Sequence, residues 1–568
     1  MGVKLNPQTL QDVPVTSYSD LPTTALRTGT WKYMQPVYQD KLPPCINGCP
    51  AGNDIAGMLK LVAEGRVDEA AALWRAGNPL PSTLGRVCPH PCEDDCNRTD
   101  LGGAVAIHML ERYLGDRFLE GSSRPTSAPP TNRNVAVVGG GPAGIAAAYH
   151  LALQGHAVDI YDDKPKPGGY LRTGIPDYRL PKSVLDAELA LVEAVGVNFH
   201  NGVRVGRDVS MEELRKRYDA VIVAVGLHGA RRLGIPGEDH PSVFNGVKLL
   251  EAILLGERPA LPDRLAVVGG GNTAMDVARS LLRLGVTPIV LYRRTRNEMP
   301  AIAQEIDEAL AEGIEFHYLT APTRVITEGN EVVAVECIRM ELGEPDASGR
   351  RRPLPVEGSE FRMEVAGVVT ALGETGELEF LPSDVSRNGR VETDGRFATS
   401  AEGVFAAGDI ATGEGTVTAA VGTGRRVARM VEAYLDGQLP DGAPAPRELP
   451  ARTFDRDTLV TFDRLNQAYM TPSARPGIRA LKPEARIRSF AEVVHGFTEE
   501  EAIAEAQRCL LCGTCNECQN CLQFCPDVAI HSRGGAVAVD IDYDHCKGCG
   551  ICVEECPRDA LTLVEVTS

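Results

Sequence analysis

Sixteen cysteines in a chain of 568 residues set the first chemical question, because all but one fall in tight groups. Cys515, Cys518, Cys521 and Cys525, followed by Pro526, follow the pattern C-x2-C-x2-C-x3-C-P. Cys546, Cys549, Cys552 and Cys556, followed by Pro557, form a second copy. Thiolates at this spacing ligate [4Fe-4S] clusters, so these eight predict two cubanes. Five more cysteines stand near the N-terminus: Cys45 and Cys49 in "PPCINGCP", then Cys88, Cys92 and Cys96 in "GRVCPHPCEDDC". Five thiolates do not fill two further cubane sites. Cys509 and Cys512, in "AQRCLLCG", precede the first ferredoxin-type motif and belong to neither copy. By themselves they read equally as spare thiols or as ligands of a separate metal. Cys337 stands alone in an apolar, strand-like run and reads as a core residue.

Glycines supply the second chemistry. Gly139, Gly141 and Gly144 form G-x-G-x-x-G directly after the apolar run "NVAVV", and Asp162 ends the next strand-like run. The first glycine permits the tight turn, the second lets backbone approach a pyrophosphate, and the third lets helix pack on strand; the acid accepts from a ribose hydroxyl. A second unit, about 130 residues on, opens with Gly269, Gly271 and Ala274, with Asn272 and Thr273 inside the loop. Its next strand ends "IVLYRR" rather than in an acid. Arg293 and Arg294 there suit a 2′-phosphate, which favours NADP(H) over NAD(H); a solvated strand end is the other reading. No C-x-x-C accompanies either unit, against a dithiol-reducing flavoenzyme.

Composition narrows the class. The net charge of −19 disfavours nucleic acid as a partner, which needs a basic face. The apolar runs near 135–153 and 265–285 are broken by glycines and polar residues, so no membrane span is expected. Clustered cysteines without an export signal point to metal ligation in a reducing compartment, the cytoplasm.

The residues around the first nucleotide unit carry a resemblance. "PGGYLRTGIPDYRLPK" (167–182) and "AAGDIATGEGTV" (406–417) resemble the FAD motifs of the glutamate synthase small-subunit family. That family includes the N-terminal part of dihydropyrimidine dehydrogenase and the large subunit of the electron-bifurcating ferredoxin:NADP oxidoreductase. The resemblance implies that Gly168, Gly169 and Leu171 line FAD, that Gly408 and Asp409 hold its ribityl or pyrophosphate part, and that Thr416 and Val417 begin a helix aimed at the isoalloxazine. "YRRTRNEMPA" resembles the family's NADP loop.

The family's N-terminal helical domain holds two clusters and opens on "EAxRCLxCG". Here that stretch is missing before Cys45 and stands instead at 506–513. The resemblance therefore implies a reassembly in space. Cys509 and Cys512 join Cys45 and Cys96 around one cluster; Cys49, Cys88 and Cys92 take a second, with Glu111 as the non-cysteine ligand the family draws from the helix just downstream. Glu111 on an amphipathic helix is also compatible with a face toward water or an arginine. Fifteen cysteines and Glu111 then supply four [4Fe-4S] clusters. "RTGTWKYMQPV" (27–37) is similar to the "TGxWRxxRP" stretch of the delta subunit of 2-oxoacid:ferredoxin oxidoreductases.

The expected architecture is α/β: two Rossmann-like domains of the disulfide-oxidoreductase type, a helical iron–sulfur domain before them and a ferredoxin-like α+β domain after. Boundaries are expected at 1–130 for the helical domain, 131–257 with 370–437 for the FAD domain, and 258–369 for the NAD(P) domain. A linker at 438–490 and the ferredoxin-like domain at 491–568 complete the chain. No catalytic acid–base set stands out. The expected activity is electron transfer between NAD(P)H and a ferredoxin-level partner through FAD and four clusters, as a subunit of a larger, 2-oxoacid-type complex and so a hetero-oligomer. Two alternatives remain: a glutamate synthase small subunit with an added ferredoxin module, and a relay subunit that no longer turns over.

Overall fold

The structure, a computed structural model, describes residues 27–30, 32–121, 124–346, 349–438, 455–532 and 539–566. "NVAVV" forms the middle strand, Asn134–Val138, of a five-stranded parallel sheet. Its order is Val404–Ala406, Ala220–Val223, Asn134–Val138, Ala157–Asp162, Val197–Asn201. Near-continuous apolar runs suit strands buried on both faces. Helices Pro142–Leu153 and Val417–Leu435 share the core beside this sheet.

The second nucleotide unit builds its own parallel sheet, ordered Glu315–Tyr318, Thr287–Tyr292, Arg264–Val268, Gly367–Thr370, Val243–Asn245. The strand Val243–Asn245 and the helix Gly246–Leu254 therefore belong with the second unit. That corrects the expected end of the FAD segment at 257. Antiparallel strands Thr320–Glu328, Glu331–Pro345, Arg351–Pro355 and Phe361–Glu364 pack beside it, and Cys337 is fully buried among them.

The N-terminal helices Ile55–Ala63, Val67–Gly77 and Ile107–Glu120 share one core with a helix from the far end of the chain, Glu499–Gln507. Ala502 and Ala506 are buried in that core, and Glu505 Oε1 accepts the backbone N–H of Ala106 at 2.7 Å, where helix Ile107–Glu120 begins. So the stretch from 499 to 512 is part of the helical domain rather than of the ferredoxin module expected from 491. The expected linker at 438–490 also needs correction: residues 439–454 lie outside the described residues, and from 455 the chain is packed. The strand Asp455–Leu459 pairs with Lys41–Leu42, Asn97 Nδ2 donates to Val460 O at 2.8 Å, and Arg98 Nη2 to Thr471 O at 2.9 Å.

The ferredoxin-like module carries the short helices Asn520–Gln523 and Ile551–Glu554 and a hairpin, Ile530–Ser532 with Val539–Ile541. Its last strand, Leu561–Glu565, pairs antiparallel with Met34–Tyr38. Lys32 Nζ donates to Tyr543 O at 2.7 Å, so the stretch 27–37 lies on this module, Trp31 being outside the described residues. Lys41, with its side chain buried, pairs with Asp559 at 2.5 Å.

Candidate functional site

One cavity of about 450 Å³ runs between the two nucleotide units. Gly139, Gly141, Asp162, Gly169, Leu171, Gly408, Asp409, Thr416 and Val417 line it on one side, and Asn272 and Thr273 on the other. Local sequence explains the shape. A Cβ on Gly144 would sit 2.0 Å from Gly139 O, so the helix approaches the strand only without one, while a Cβ on Gly141 would meet nothing closer than 3.9 Å. That open backbone is the cradle a pyrophosphate requires. Gly140 and Lys164 donate their N–H groups to the Asp162 carboxylate at 2.6 and 2.9 Å, and burial raises its pKa. Gly168 does not line the cavity; it donates to Gly140 O at 2.7 Å and holds the glycine loop. Thr416 caps the 19-residue helix Val417–Leu435 through Ala419 N, and Gly415 N donates to Asp409 Oδ1 at 3.0 Å. The positive end of that helix dipole thus meets the cavity and favours negative charge there. Donor set, room and dipole fit an FAD.

At the second unit, Gly271 has open space above it, Ala274 is buried, and Gly269 turns the loop with φ of +149°. Asn272 Oδ1 accepts from Ile302 N at 2.9 Å. The two arginines part company. Arg294 is buried, donates to Arg351 O at 2.6 Å and pairs with Asp346 at 2.7 Å. It ties the strand end to the antiparallel hairpin, which corrects its expected place in nucleotide binding. Arg293 is exposed at the same strand end, which leaves it as the candidate for a 2′-phosphate. Arg293→Ala is expected to raise the KM for NADPH about tenfold, as losing a charged hydrogen bond does, and that for NADH far less. Equal rises for both nucleotides would remove the phosphate role.

The clustered cysteines come together from distant parts of the chain. Burial drives the Cys45 pKa well up, and the nearby thiols of Cys509, Cys96 and Cys512, and less so Cys49, add to the rise. Asn97 Nδ2 lies 3.4 Å from Cys512 Sγ. Cys49, Cys88, Cys92 and Glu111 line one small cavity with Trp74 and Thr418. Glu111 is buried, its pKa pushed up to about 8 by burial against hydrogen bonds from Trp74 Nε1 (2.9 Å) and Asn78 Nδ2 (2.8 Å). Both bonds fall on Oε1, and the neighbouring Glu188 and Glu93 push its pKa further up, so an ionised Glu111 needs a cation. His90, Glu93 and His108 also bring ligand-type atoms within 4.8 Å of one another nearby, but the cation they meet is Arg475, 2.7 Å from Glu93.

In the ferredoxin module the two sequence copies exchange their last cysteines. Cys515, Cys518 and Cys521 gather with Cys556 around one hollow, while Cys546 and Cys552 face Cys525 and Cys549. This crossing is the pattern of two-cluster ferredoxins. Backbone N–H groups point at Cys88, Cys509, Cys515, Cys525 and Cys556 sulfurs at 3.2–3.3 Å. Thiols brought together in this way and held by backbone N–H groups are a donor set that suits iron, whose positive charge favours their thiolate form.

Sequence reasoning missed what joins flavin cavity and clusters. Thr418 Oγ1 donates to Cys88 Sγ at 2.7 Å, two residues after Thr416 at the flavin wall, and Val87 and Pro89, either side of Cys88, line the flavin cavity. Only a threonine at the second position of a helix signalled this, which is too common to notice.

This architecture defines a flavin- and nicotinamide-dependent oxidoreductase with iron–sulfur domains. The family model "Pyridine nucleotide-disulphide oxidoreductase" matches residues 133–424, more than half of the chain, and the chain belongs to that family. "Dihydropyrimidine dehydrogenase domain II, 4Fe-4S cluster" matches 37–122 and "4Fe-4S binding domain" 539–562. Among similar proteins, the NADP(+)-dependent formate dehydrogenase subunit beta of Moorella thermoacetica is 39% identical over 83% of this chain and 70% of its own length. The NADPH-Fe(3+) oxidoreductase subunit beta of Geobacter sulfurreducens is 37% identical over 83% and 75%. The glutamate synthase [NADPH] small chain of Azospirillum brasilense is 38% identical over 69% and 86%. The expected kinship with the glutamate synthase small-subunit group thus holds. No helix among the described residues is long and apolar enough to cross a membrane.

Proposed function

We propose that this chain carries electrons between NADP(H) and a ferredoxin-level partner, as the nucleotide-reactive subunit of a larger redox complex in a reducing, cytoplasmic compartment. One observation carries the reading: helix Val417–Leu435 begins at the flavin cavity and within two residues touches a cluster thiol through Thr418. When bound, FAD exchanges hydride with a nicotinamide and single electrons with iron–sulfur clusters. The chain's residues set the order. Arg293, Gly271, Asn272 and Thr273 hold the dinucleotide against the cavity. Gly139, Gly141, Asp162, Gly169 and Asp409 hold FAD, and the helix N-terminus favours its anionic form. Cys49, Cys88, Cys92 and Glu111 hold the first cluster, and Cys45, Cys96, Cys509 and Cys512 the second. Cys45 and Cys49 flank one short helix, Pro44–Gly48. Cys512 and Cys515 are three residues apart and lead to the ferredoxin pair.

The printed names of the Moorella and Geobacter relatives describe subunits, which supports a hetero-oligomer whose other chains set the distal substrate, whether formate, a 2-oxoacid or another low-potential couple. The relation to the Azospirillum protein favours a second reading, a glutamate synthase small chain with an added module. Glutamate formation on mixing with a synthase large subunit would select it.

The test is anaerobic. The purified chain should hold one FAD and about sixteen irons and reduce a viologen dye with NADPH. Iron near eight would leave only the ferredoxin pair, and no dye reduction with either nucleotide would favour an inert relay. For the first cluster, Glu111→Ala should lose about four irons, whereas Glu111→Gln, which keeps an oxygen donor, should retain them with a changed cluster potential. Full iron in Glu111→Ala would remove it as a ligand.

A further inference from the structure

We propose that the face around Cys525, Cys546, Cys549 and Cys552 docks a redox protein whose own face is apolar at its centre and basic at its rim. The class of partner rests on the electron-transfer reading above. Large apolar side chains gather here as nowhere else among the described residues. Val528 is 71% exposed and Tyr33 87%, with Phe524, Tyr543 and Ile551 also exposed. Each is tied to this cysteine set. Phe524 precedes Cys525, Val528 N donates to Cys525 O at 3.2 Å, and Ile551 precedes Cys552. Tyr543 feels the Cys546 and Cys552 thiols, and Lys32, next to Tyr33, lies 5.5 Å from its ring centroid. Scattered single apolar residues on a surface need no explanation, but a cluster around a redox centre does.

The other ferredoxin set is hemmed in by the chain itself. Lys60 pairs with Glu517 at 2.8 Å beside Cys518, Asn466 Nδ2 donates to Glu554 O at 2.9 Å, and Tyr469 bonds Glu555. Cys518 and Cys549 are both exposed, but the apolar patch borders the Cys549 set, so a partner docked there takes its electrons from that set.

Charge selects the partner. Residues 515–566 carry nine acidic and three basic side chains. Such a surface repels nucleic acid and anionic lipid and steers a basic-rimmed protein toward the patch. The apolar centre then loses water on contact, which holds the complex.

The probe is a basic cytochrome c, first as a ligand of the oxidised holoenzyme, without turnover. It should bind at about 0.05 M salt and weaken at least about tenfold at about 0.5 M, where exposed charges are screened. The double variant Val528→Lys/Tyr33→Lys should bind at least about tenfold more weakly than the parent, because it removes apolar contact and repels the basic rim. Its iron content and NADPH–viologen rate should be unchanged. Equal binding by parent and variant, or binding indifferent to salt, would overturn the proposal whatever the dye assay gives. If binding behaves as expected but NADPH fails to reduce viologen in the parent, the electron-transfer reading falls while the docking face stands.

Discussion

Cys512→Ala is expected to strip about four irons from the holoenzyme while both ferredoxin-type clusters survive, because its set shares no ligand with theirs. The thiol sits beside Asn97, 415 residues away in sequence, and adds to the pressure that keeps Cys45 protonated. On the proposed assignment, a cluster held by Cys45, Cys96, Cys509 and Cys512 crosslinks the two ends of the chain. Closing so long a loop constrains the unfolded chain, and cluster binding is then also folding free energy. The helical domain of the variant should accordingly exchange its amide hydrogens faster, most of all in helix Glu499–Gln507, whose anchor at Ala106 is a single carboxylate. Removing the last 60 residues should do more than the point change: it also takes away Leu561–Glu565, the partner of strand Met34–Tyr38, and Asp559, the partner of buried Lys41. Metal analysis with low-temperature electron paramagnetic resonance reads the first effect. Sixteen irons in Cys512→Ala, or loss of a ferredoxin-type signal, would separate Cys512 from this cluster.

Local chemistry was legible in the sequence, and long-range partnership only where a spacing was displaced. Gly139, Gly141 and Gly144 announced their turn because the turn itself demands them, and the cysteine spacings announced ligands because iron tolerates few. The return of Cys509 and Cys512 was readable because "RCLLCG" stood in an unexpected place. Arg294 was misread for the opposite reason. Its guanidinium is spent on Asp346, 52 residues downstream at the end of a hairpin strand, and nothing in "LYRR" distinguishes it from Arg293. The stretch after 455 looked like a linker because its residues form few repeating patterns. It is ordered instead by bonds to Asn97, Arg98 and Gly102, each set by tertiary placement. The crossing of cysteines between the two ferredoxin copies is likewise a fact of packing, since the eight thiolates would count the same uncrossed.

Gly422→Val is expected to uncouple flavin from clusters while leaving FAD in place. Helix Val417–Leu435 is squeezed between two backbones. A Cβ on Gly422 would lie 2.1 Å from Pro50 O and 2.9 Å from the Ala51 Cα, and one on Gly424 would lie 2.2 Å from Ala143 O. Pro50 follows Cys49, and Ala143 lies in the first nucleotide loop's helix, so the two glycines face a cluster loop and the flavin unit respectively. Neither obstacle is the flexible end of a side chain, and one of them must move. Overpacking of this kind costs about 1–3 kcal/mol, and the backbone that Gly422→Val meets is the loop that carries Cys49. The contact of Thr418 with Cys88 lies about one turn back along the same helix and is strained with it. NADPH should therefore still bleach the bound flavin at close to the parent rate in stopped flow, because Gly424 and the cavity wall are untouched. Reduction of the clusters should lag far behind, or the iron of the Cys49 set should be lost outright. Gly422→Ala, with a smaller intrusion, should fall between. A Gly422→Val chain with full iron and clusters reduced in step with the flavin would mean that electrons leave FAD without this helix. The close approach at Pro50 would then serve packing alone.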